Sequence, residues 1–389
     1  MRSILFTGKG GVGKTTLAAA TALSAAKHGH RTLVVSTDPA HSLADSLDQP
    51  LSSEPRAIQG DHFWAAEIDT GEELERHWGK ARRRIAELLR EEGISAAAAG
   101  ELAVLPGLDE ILALLRIKQW LDEGAYDLLV IDSAPTGAAT RLLSAPDLVR
   151  WYRRHLSGLS RTVLRAVLPA LSVLLEAPAD ALVAQEQVKL VFEGIRALQE
   201  NLTDPERTSV RLVLLPERMA LLETERAYTY MSLFGMSVDA LFLNRLLPDQ
   251  VQDPYFDGWR QDQFRYRREV LDEFRPLPVF EVPLMNREVV GLEALAALAD
   301  ATYGSADPAP RLGTEQPLEI TARDGRYVLS LRVSGVATGA VQIERAGDAL
   351  RVRLGRYRRT LPLPQYLVGL SPSFARLENG RLVIVFEDA

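Results

Sequence analysis

The sequence predicts an α/β protein with a mostly parallel sheet, an inserted helical subdomain and a C-terminal all-β sandwich domain. Three observations carry that expectation. Between Arg2 and Tyr303 short β-branched runs alternate with helical segments, the pattern of strands joined by crossover helices. The runs around Val34 and Asp132 are continuously apolar, as strands covered on both faces are. Past residue 316 the period shortens to alternating strands punctuated by Asp324-Gly325, Gly347-Asp348 and Asn379-Gly380.

Taken in order, candidate strands lie at 3–7, 32–37, 63–68, 127–132, 210–215, 238–243 and 277–282. Two longer helical stretches, about 72–123 and 146–201, exceed what a crossover needs and suggest a helical subdomain beside the sheet. Residues 304–315, opening with Gly304-Ser305-Ala306-Asp307-Pro308-Ala309-Pro310, are turn-rich and predict a linker open to protease near 304–313. Beyond it, strands are expected at 326–333, 340–343, 349–354, 358–362 and 381–386. The implied domains are 1–303 and 316–389.

At 389 residues the chain suits two or three domains, and 47% hydrophobic with 25% charged residues is a globular composition. A net charge of −7 gives no reason to expect nucleic-acid binding. Cysteine is absent, so no disulfide, thiolate metal site or thiol switch exists. Met1–Phe6 lacks the segments of a signal peptide, and the most apolar stretch, 162–175, is short for a span and carries Arg165. The cytoplasm is the expected address, with any membrane involved only indirectly. Residues 316–389 hold eleven arginines against seven acids, a net of +4, which leaves −11 on the remainder. Opposite signs favour docking of one part on the other; a solvated surface is the plainer alternative.

The chemistry begins at Gly8-Lys9-Gly10-Gly11-Val12-Gly13-Lys14-Thr15, which satisfies G-x-x-x-x-G-K-[ST] directly after a strand and at the start of a helix. In such a loop the glycines let backbone N–H groups wrap a phosphate chain. Lys14 would neutralise β/γ oxygens, and the Thr15 hydroxyl would bind Mg²⁺. ATP and Mg²⁺ are the cofactors this implies. Asp38 follows the second strand, where a carboxylate faces the ligand crevice and is able to orient and deprotonate an attacking water. Asp132-Ser133-Ala134-Pro135-Thr136-Gly137 follows an apolar strand. There Asp132 would hold the Mg²⁺ shell, and Gly137 would give a phosphate-sensing loop its freedom.

Residues 8–16, 37–45, 106–110 and 132–143 resemble the arsenical-pump and tail-anchored-protein-targeting ATPases, P-loop enzymes with a deviant Walker A loop. Residues 216–226, Asn244 and 283–291 match in the same order. The resemblance implies an ATP hydrolase acting as a homodimer, in which Lys9 reaches the facing subunit's phosphates and works with Lys14 and Asp38. It places Gly8, Gly10, Gly11, Val12, Gly13, Lys14, Thr15 and Thr16 around the phosphates, with Thr15 and Asp132 at the metal. It has Asn244 read the adenine by its amide while Pro283 and Leu284 pack against the base. Two departures stand out. Residues 248–259 lack the targeting ATPases' Cys-x-x-Cys pair, so no zinc is expected and arsenite transport through thiolates is ruled out. Ala138 stands where the family usually has histidine.

Residues 327–336, 347–352 and 379–384 are similar to the α-crystallin domain of small heat-shock proteins. Leu102–Ile117 and Leu156–Leu175 are too apolar for one core-facing stripe, which fits either a groove for a client's hydrophobic helix or ordinary burial. The leading expectation is an ATPase that couples hydrolysis to capture and release of a hydrophobic polypeptide. A nucleotide-gated holdase with vestigial hydrolysis and a partition-type regulatory ATPase are the alternatives.

Overall fold

A computed structural model describes residues 1–38, 42–69, 108–133, 196–323 and 326–387. Its centre is β1 (Arg2–Gly8), hydrogen-bonded in parallel to β5 (Leu128–Asp132) on one side and β6 (Thr208–Leu214) on the other. Outward from β5 come β2 (Thr32–Ser36), β4 (Phe63–Glu67) and β3 (Arg56–Gln59). Outward from β6 come β7 (Val238–Leu246) and β8 (Val279–Pro283). The eight strands therefore run in the order β3-β4-β2-β5-β1-β6-β7-β8, and only β3 is antiparallel.

Both faces are covered, which is why the inner strands read as unbroken apolar runs. On one face α1 (Lys14–Lys27) and α6 (Gly291–Tyr303) bury Leu17, Leu23, Leu295 and Leu298 against Ile4, Val34 and Phe242. On the other, α3 (Leu108–Glu123) and α4 (Arg218–Leu233) bury Ile117, Trp120 and Met231 against Leu5, Leu33 and Leu129. In sequence α2 (Ser42–Leu47) precedes α3, and a helical stretch over 196–203 falls between α3 and α4.

Of the expected helical subdomain, only 108–123 and 196–201 fall among the described residues. Both are helical, and Ala113, Ile117 and Trp120 of the first and Leu198 of the second join the sheet's own core. The rest of that subdomain, Ala138 and Gly137 lie outside the described residues.

The C-terminal part is antiparallel. Strands β9 (Leu318–Arg323), β10 (Arg326–Arg332), β14 (Ser371–Glu378) and β15 (Arg381–Glu387) form one sheet in the order β14-β15-β10-β9. Strands β11 (Val341–Ala346), β12 (Ala349–Leu354) and β13 (Tyr357–Pro362) form the second. Leu329, Leu331, Leu350, Val352, Ile384 and Phe386 are buried between them.

This β domain sits on α4 and on α5 (Asp257–Glu273), and its core is continuous with the core beneath α4. The Thr229 hydroxyl donates to the Ser334 carbonyl at 2.9 Å and accepts from the Ser334 N–H at 2.8 Å. Tyr230 meets Tyr357 edge-on at 5.9 Å, and the Arg359 guanidinium lies 4.0 Å from the Phe234 ring centre. The docking that charge alone suggested is thus made by apolar contact and paired hydrogen bonds. Arg332 and Arg381 direct their charge to Glu315 in the connecting segment.

That segment departs from the expectation of an exposed linker. Pro308, Ala309 and Gly313 are buried. The fully buried Arg211 donates to the Pro308 carbonyl at 2.6 Å and pairs with the equally buried Asp239 at 3.4 Å. Asp239 in turn accepts from the Leu312 N–H at 3.1 Å and lies 3.5 Å from Arg2, whose Nε donates to the Ala309 carbonyl. Turn-forming residues signalled irregular backbone, but the carbonyls they expose are captured by Arg211 on β6 and Arg2 on β1, and the Leu312 N–H by Asp239 on β7.

Candidate nucleotide site

The glycine loop joins the carboxyl end of β1 to the amino end of α1, at the sheet edge where ligands of such folds bind. Its path depends on two glycines. A Cβ on Gly8 would lie 2.2 Å from the Val213 carbonyl oxygen, and one on Gly13 would lie 2.4 Å from Asn244 Nδ2. Gly13 also holds φ at 95°, a left-handed conformation that strains other residues. It is the N-cap of α1 but offers no side chain to the first-turn N–H groups, and no acid lies in that turn. A helix start left uncapped in this way presents donors and a positive dipole end to an anion.

Lys14 is buried and its ammonium donates to the Lys9 carbonyl at 3.4 Å. The half-buried Lys9 side chain has no hydrogen bond or ion pair among the described residues. Thr15 donates its hydroxyl proton to Asp132 Oδ2 at 2.7 Å and shares a 3.1 Å hydrogen bond with Ser42. Ser36 donates to the same Asp132 oxygen at 3.1 Å and accepts from the Asp38 N–H at 3.2 Å. One carboxylate thus gathers Thr15, Ser36 and, through Ser36, the backbone of Asp38. Residues 39–41 lie outside the described residues.

Asp132 is fully buried, and burial pushes its carboxyl up to about 6, against the Thr15 and Ser36 hydrogen bonds and the Lys14 charge; the Asp38 charge adds to the rise. Its second oxygen, Oδ1, is buried without a hydrogen-bond partner among the described residues. Such an oxygen is costly to leave unmatched. A hard divalent cation is the partner whose chemistry suits a carboxylate flanked by hydroxyls. The donor set fits Mg²⁺.

Asn244 ends up against the loop. Its Nδ2 donates to the Val12 carbonyl at 2.8 Å, and its Oδ1 accepts from the Arg245 N–H at 2.9 Å. Pro283 closes β8 half-buried, and the Leu284 side chain is exposed. The Leu284 N–H donates to the Leu246 carbonyl at 2.7 Å, so Asn244, Pro283 and Leu284 lie at the ends of adjacent strands on one flank of the loop. Val12 is buried, Thr16 half-buried, and Gly10 and Gly11 are exposed at the loop's outer turn.

Sequence reasoning missed three residues. Ser36 is a common type in an unremarkable position, and Ser42 lies within the matched segment 37–45 without a mark that singles it out for the site. Glu67 ends the apolar run Phe63-Trp64-Ala65-Ala66, and a buried acid there was the available signal. Its Oε1 accepts from the Leu43 and Ala44 N–H groups at 2.8 and 2.9 Å, capping α2 and fixing Ser42 beside Thr15.

A glycine loop feeding an uncapped helix, a buried lysine, and a threonine bonded to a strand-end aspartate define a P-loop nucleotide hydrolase. Residues 1–304 match the family model described as Anion-transporting ATPase, and residues 324–386 match the HSP20-like domain found in ArsA. The chain is 37% identical to "Putative arsenical pump-driving ATPase 1" of Aquifex aeolicus over 99% of both chains. It is 36% identical to "Putative arsenical pump-driving ATPase" of Chlorobaculum tepidum over 100% of this chain and 96% of that one. It is also 28% identical to "ATPase ASNA1 homolog 1" of Paramecium tetraurelia, over 76% of this chain and 90% of that protein. This chain belongs to the anion-transporting ATPase family and is an ATPase carrying an HSP20-like β domain.

Proposed function

We propose that this ATPase works in the cytoplasm as a Mg²⁺-dependent homodimer that couples ATP hydrolysis to binding and release of a hydrophobic polypeptide. The observation that carries the catalytic half is the hydrogen-bonded constellation of Thr15, Ser36, Asp38 and Asp132 at the mouth of the glycine loop. In this reading the loop N–H groups and Lys14 bind the phosphates, and Thr15 and Asp132 hold Mg²⁺, which when bound neutralises phosphate charge. Asp38 orients the attacking water and takes its proton. Lys9, with its side chain unpaired among the described residues, completes the partner subunit's site. Asn244, Pro283 and Leu284 receive the adenine.

The client half is supported by the HSP20-like domain seated on the ATPase's own core. The relatives named for arsenical pumps invite a different cargo, but a chain with no cysteine offers arsenite no thiolate. The test is steady-state ATP hydrolysis with and without a peptide carrying one apolar helix, with molar mass followed by light scattering. A dimer whose turnover changes with the peptide is the expected result. A monomer that hydrolyses ATP at the same rate with and without the peptide, and binds none of it, refutes the proposal.

A further inference from the structure

Helix α5 is an unusual neighbour for a nucleotide site. Of its 17 residues only Val270 is buried, and Trp259 and Phe264 are exposed. So it contributes little to the core. Yet one polar side chain on it, Gln263, reaches the backbone just beyond Asn244. Gln263 Oε1 accepts from the Leu247 N–H at 2.9 Å, and Nε2 donates to the Arg245 carbonyl at 3.3 Å.

One of the two residues bonded in this way is in an unfavourable conformation. Arg245 has φ of 60°, in the left-handed region, where an arginine is strained. The pairing of β7 with β8 also slips between Leu243 and Leu246. Something must hold the kink. Two groups do: Asn244 Oδ1, which accepts from the Arg245 N–H, and Gln263, which grips the chain on both sides of Leu246.

What the kink positions is the rim of the site. With its Oδ1 engaged by Arg245, Asn244 turns Nδ2 to the Val12 carbonyl in the glycine loop, and Gly13 leaves no room for more than a hydrogen there. Leu246 accepts from the Leu284 N–H and thereby sets the Pro283–Leu284 corner. We propose that Gln263 is a positioning residue for nucleotide binding: by holding Arg245 in its left-handed conformation it aims Asn244 at the glycine loop and fixes the flanking Leu284 corner. This rests on the glycine loop being the nucleotide site.

Because Gln263 touches neither the loop nor the catalytic carboxylates, its loss should weaken affinity and leave the chemical step alone. Two hydrogen bonds of ordinary strength predict an ATP Kd and KM raised about threefold to tenfold in Gln263→Ala. The expected kcat stays within about twofold. Gln263→Glu keeps the acceptor for the Leu247 N–H but loses the donor to the Arg245 carbonyl, so a smaller rise in the same direction is expected. It carries the test if the alanine variant melts near the assay temperature.

The decisive variant is Arg245→Gly placed on Gln263→Ala. Glycine adopts φ of 60° without help, so the double variant should regain most of the lost affinity. The measurements are ATP calorimetry, KM and kcat, made on the full chain with Lys14→Ala run beside it. An unchanged Kd in both Gln263 variants overturns the proposal, as does a weakened Kd that Arg245→Gly does not restore. If Lys14→Ala binds ATP as the parent does, it is the assignment of the glycine loop that fails.

Discussion

Asp239→Asn tests whether the segment joining the two domains is clasped. Asparagine keeps the shape of the side chain but removes the negative charge that faces two cations. Arg211 and Asp239 are both fully buried, with Arg211 Nε 3.4 Å from Asp239 Oδ1, and Arg2 is 3.5 Å from Oδ2. Removing one partner of a buried ion pair typically costs about 3–5 kcal/mol, because the other charge stays buried without its counter-charge. These distances are longer than the 2.7–2.9 Å of tight charge-assisted bonds, so the lower end, about 3 kcal/mol, is expected. For a chain of this length that corresponds to a fall in Tm of about 4 °C. The same loss should release Leu312 and loosen residues 304–315, which the parent protects. Trypsin digestion at low enzyme ratio, followed by mass spectrometry, should find Arg311 resistant in the parent and cut in Asp239→Asn. Equal melting temperatures and equal cleavage at Arg311 would refute the clasp.

Lys14→Ala should abolish ATP binding in calorimetry, and undiminished affinity would remove the loop assignment. Asp38→Asn should bind ATP yet lose about 10²-fold or more in turnover, the usual contribution of a general base; parental turnover would take Asp38 out of that role. Gly13→Ala combines the strain of φ 95°, about 1–2 kcal/mol for an ordinary residue, with a Cβ placed 2.4 Å from Asn244 Nδ2. Calorimetry should show no ATP binding by a folded protein, and tight binding would mean that the loop yields. Asp127, bound through its side chain by Arg31, has its carboxyl lowered to about 2, first by the Arg31 side-chain hydrogen bonds and then by the Arg31 N–H. A depressed carboxyl stabilises fully above its ordinary range near 3.8 and loses that contribution as pH falls toward about 2. Urea midpoints of the parent and Asp127→Asn should therefore differ at pH 6 and converge as pH falls below 4; a constant gap would refute the linkage.

Much of the fold was legible because burial on both faces leaves a plain mark. All seven strands expected in the ATPase part occur, with ends displaced by at most three residues. Strand β3 was not legible: it has four residues, mostly exposed, and its polarity is that of a loop. Strand β14 was missed for the same reason, since its residues are largely exposed and carry no alternation. The glycine loop was readable because phosphate wrapping demands glycines at fixed spacing. Ser36, Ser42 and Glu67 were not, because they become neighbours only when β2, β4 and α2 meet at the end of β5. The clasp was hidden differently. Arg211 sits in an apolar run, and nothing local shows that its partner, Asp239, lies on the next strand. The 304–315 stretch was read from its turn residues, which report backbone irregularity and say nothing about what captures its carbonyls.

The seat of the β domain on α4 has a consequence that can be looked for in sequences alone. Tyr230 and Phe234 are covered from above by Tyr357 and Arg359. A relative that ends near the close of α6 would leave both rings facing water, so selection for solubility should replace them with polar side chains. Aromatic residues at these two positions would then foretell, hundreds of bases before it is translated, that a second domain follows. Exchanging β domains between relatives would succeed only when this helix face travels with them.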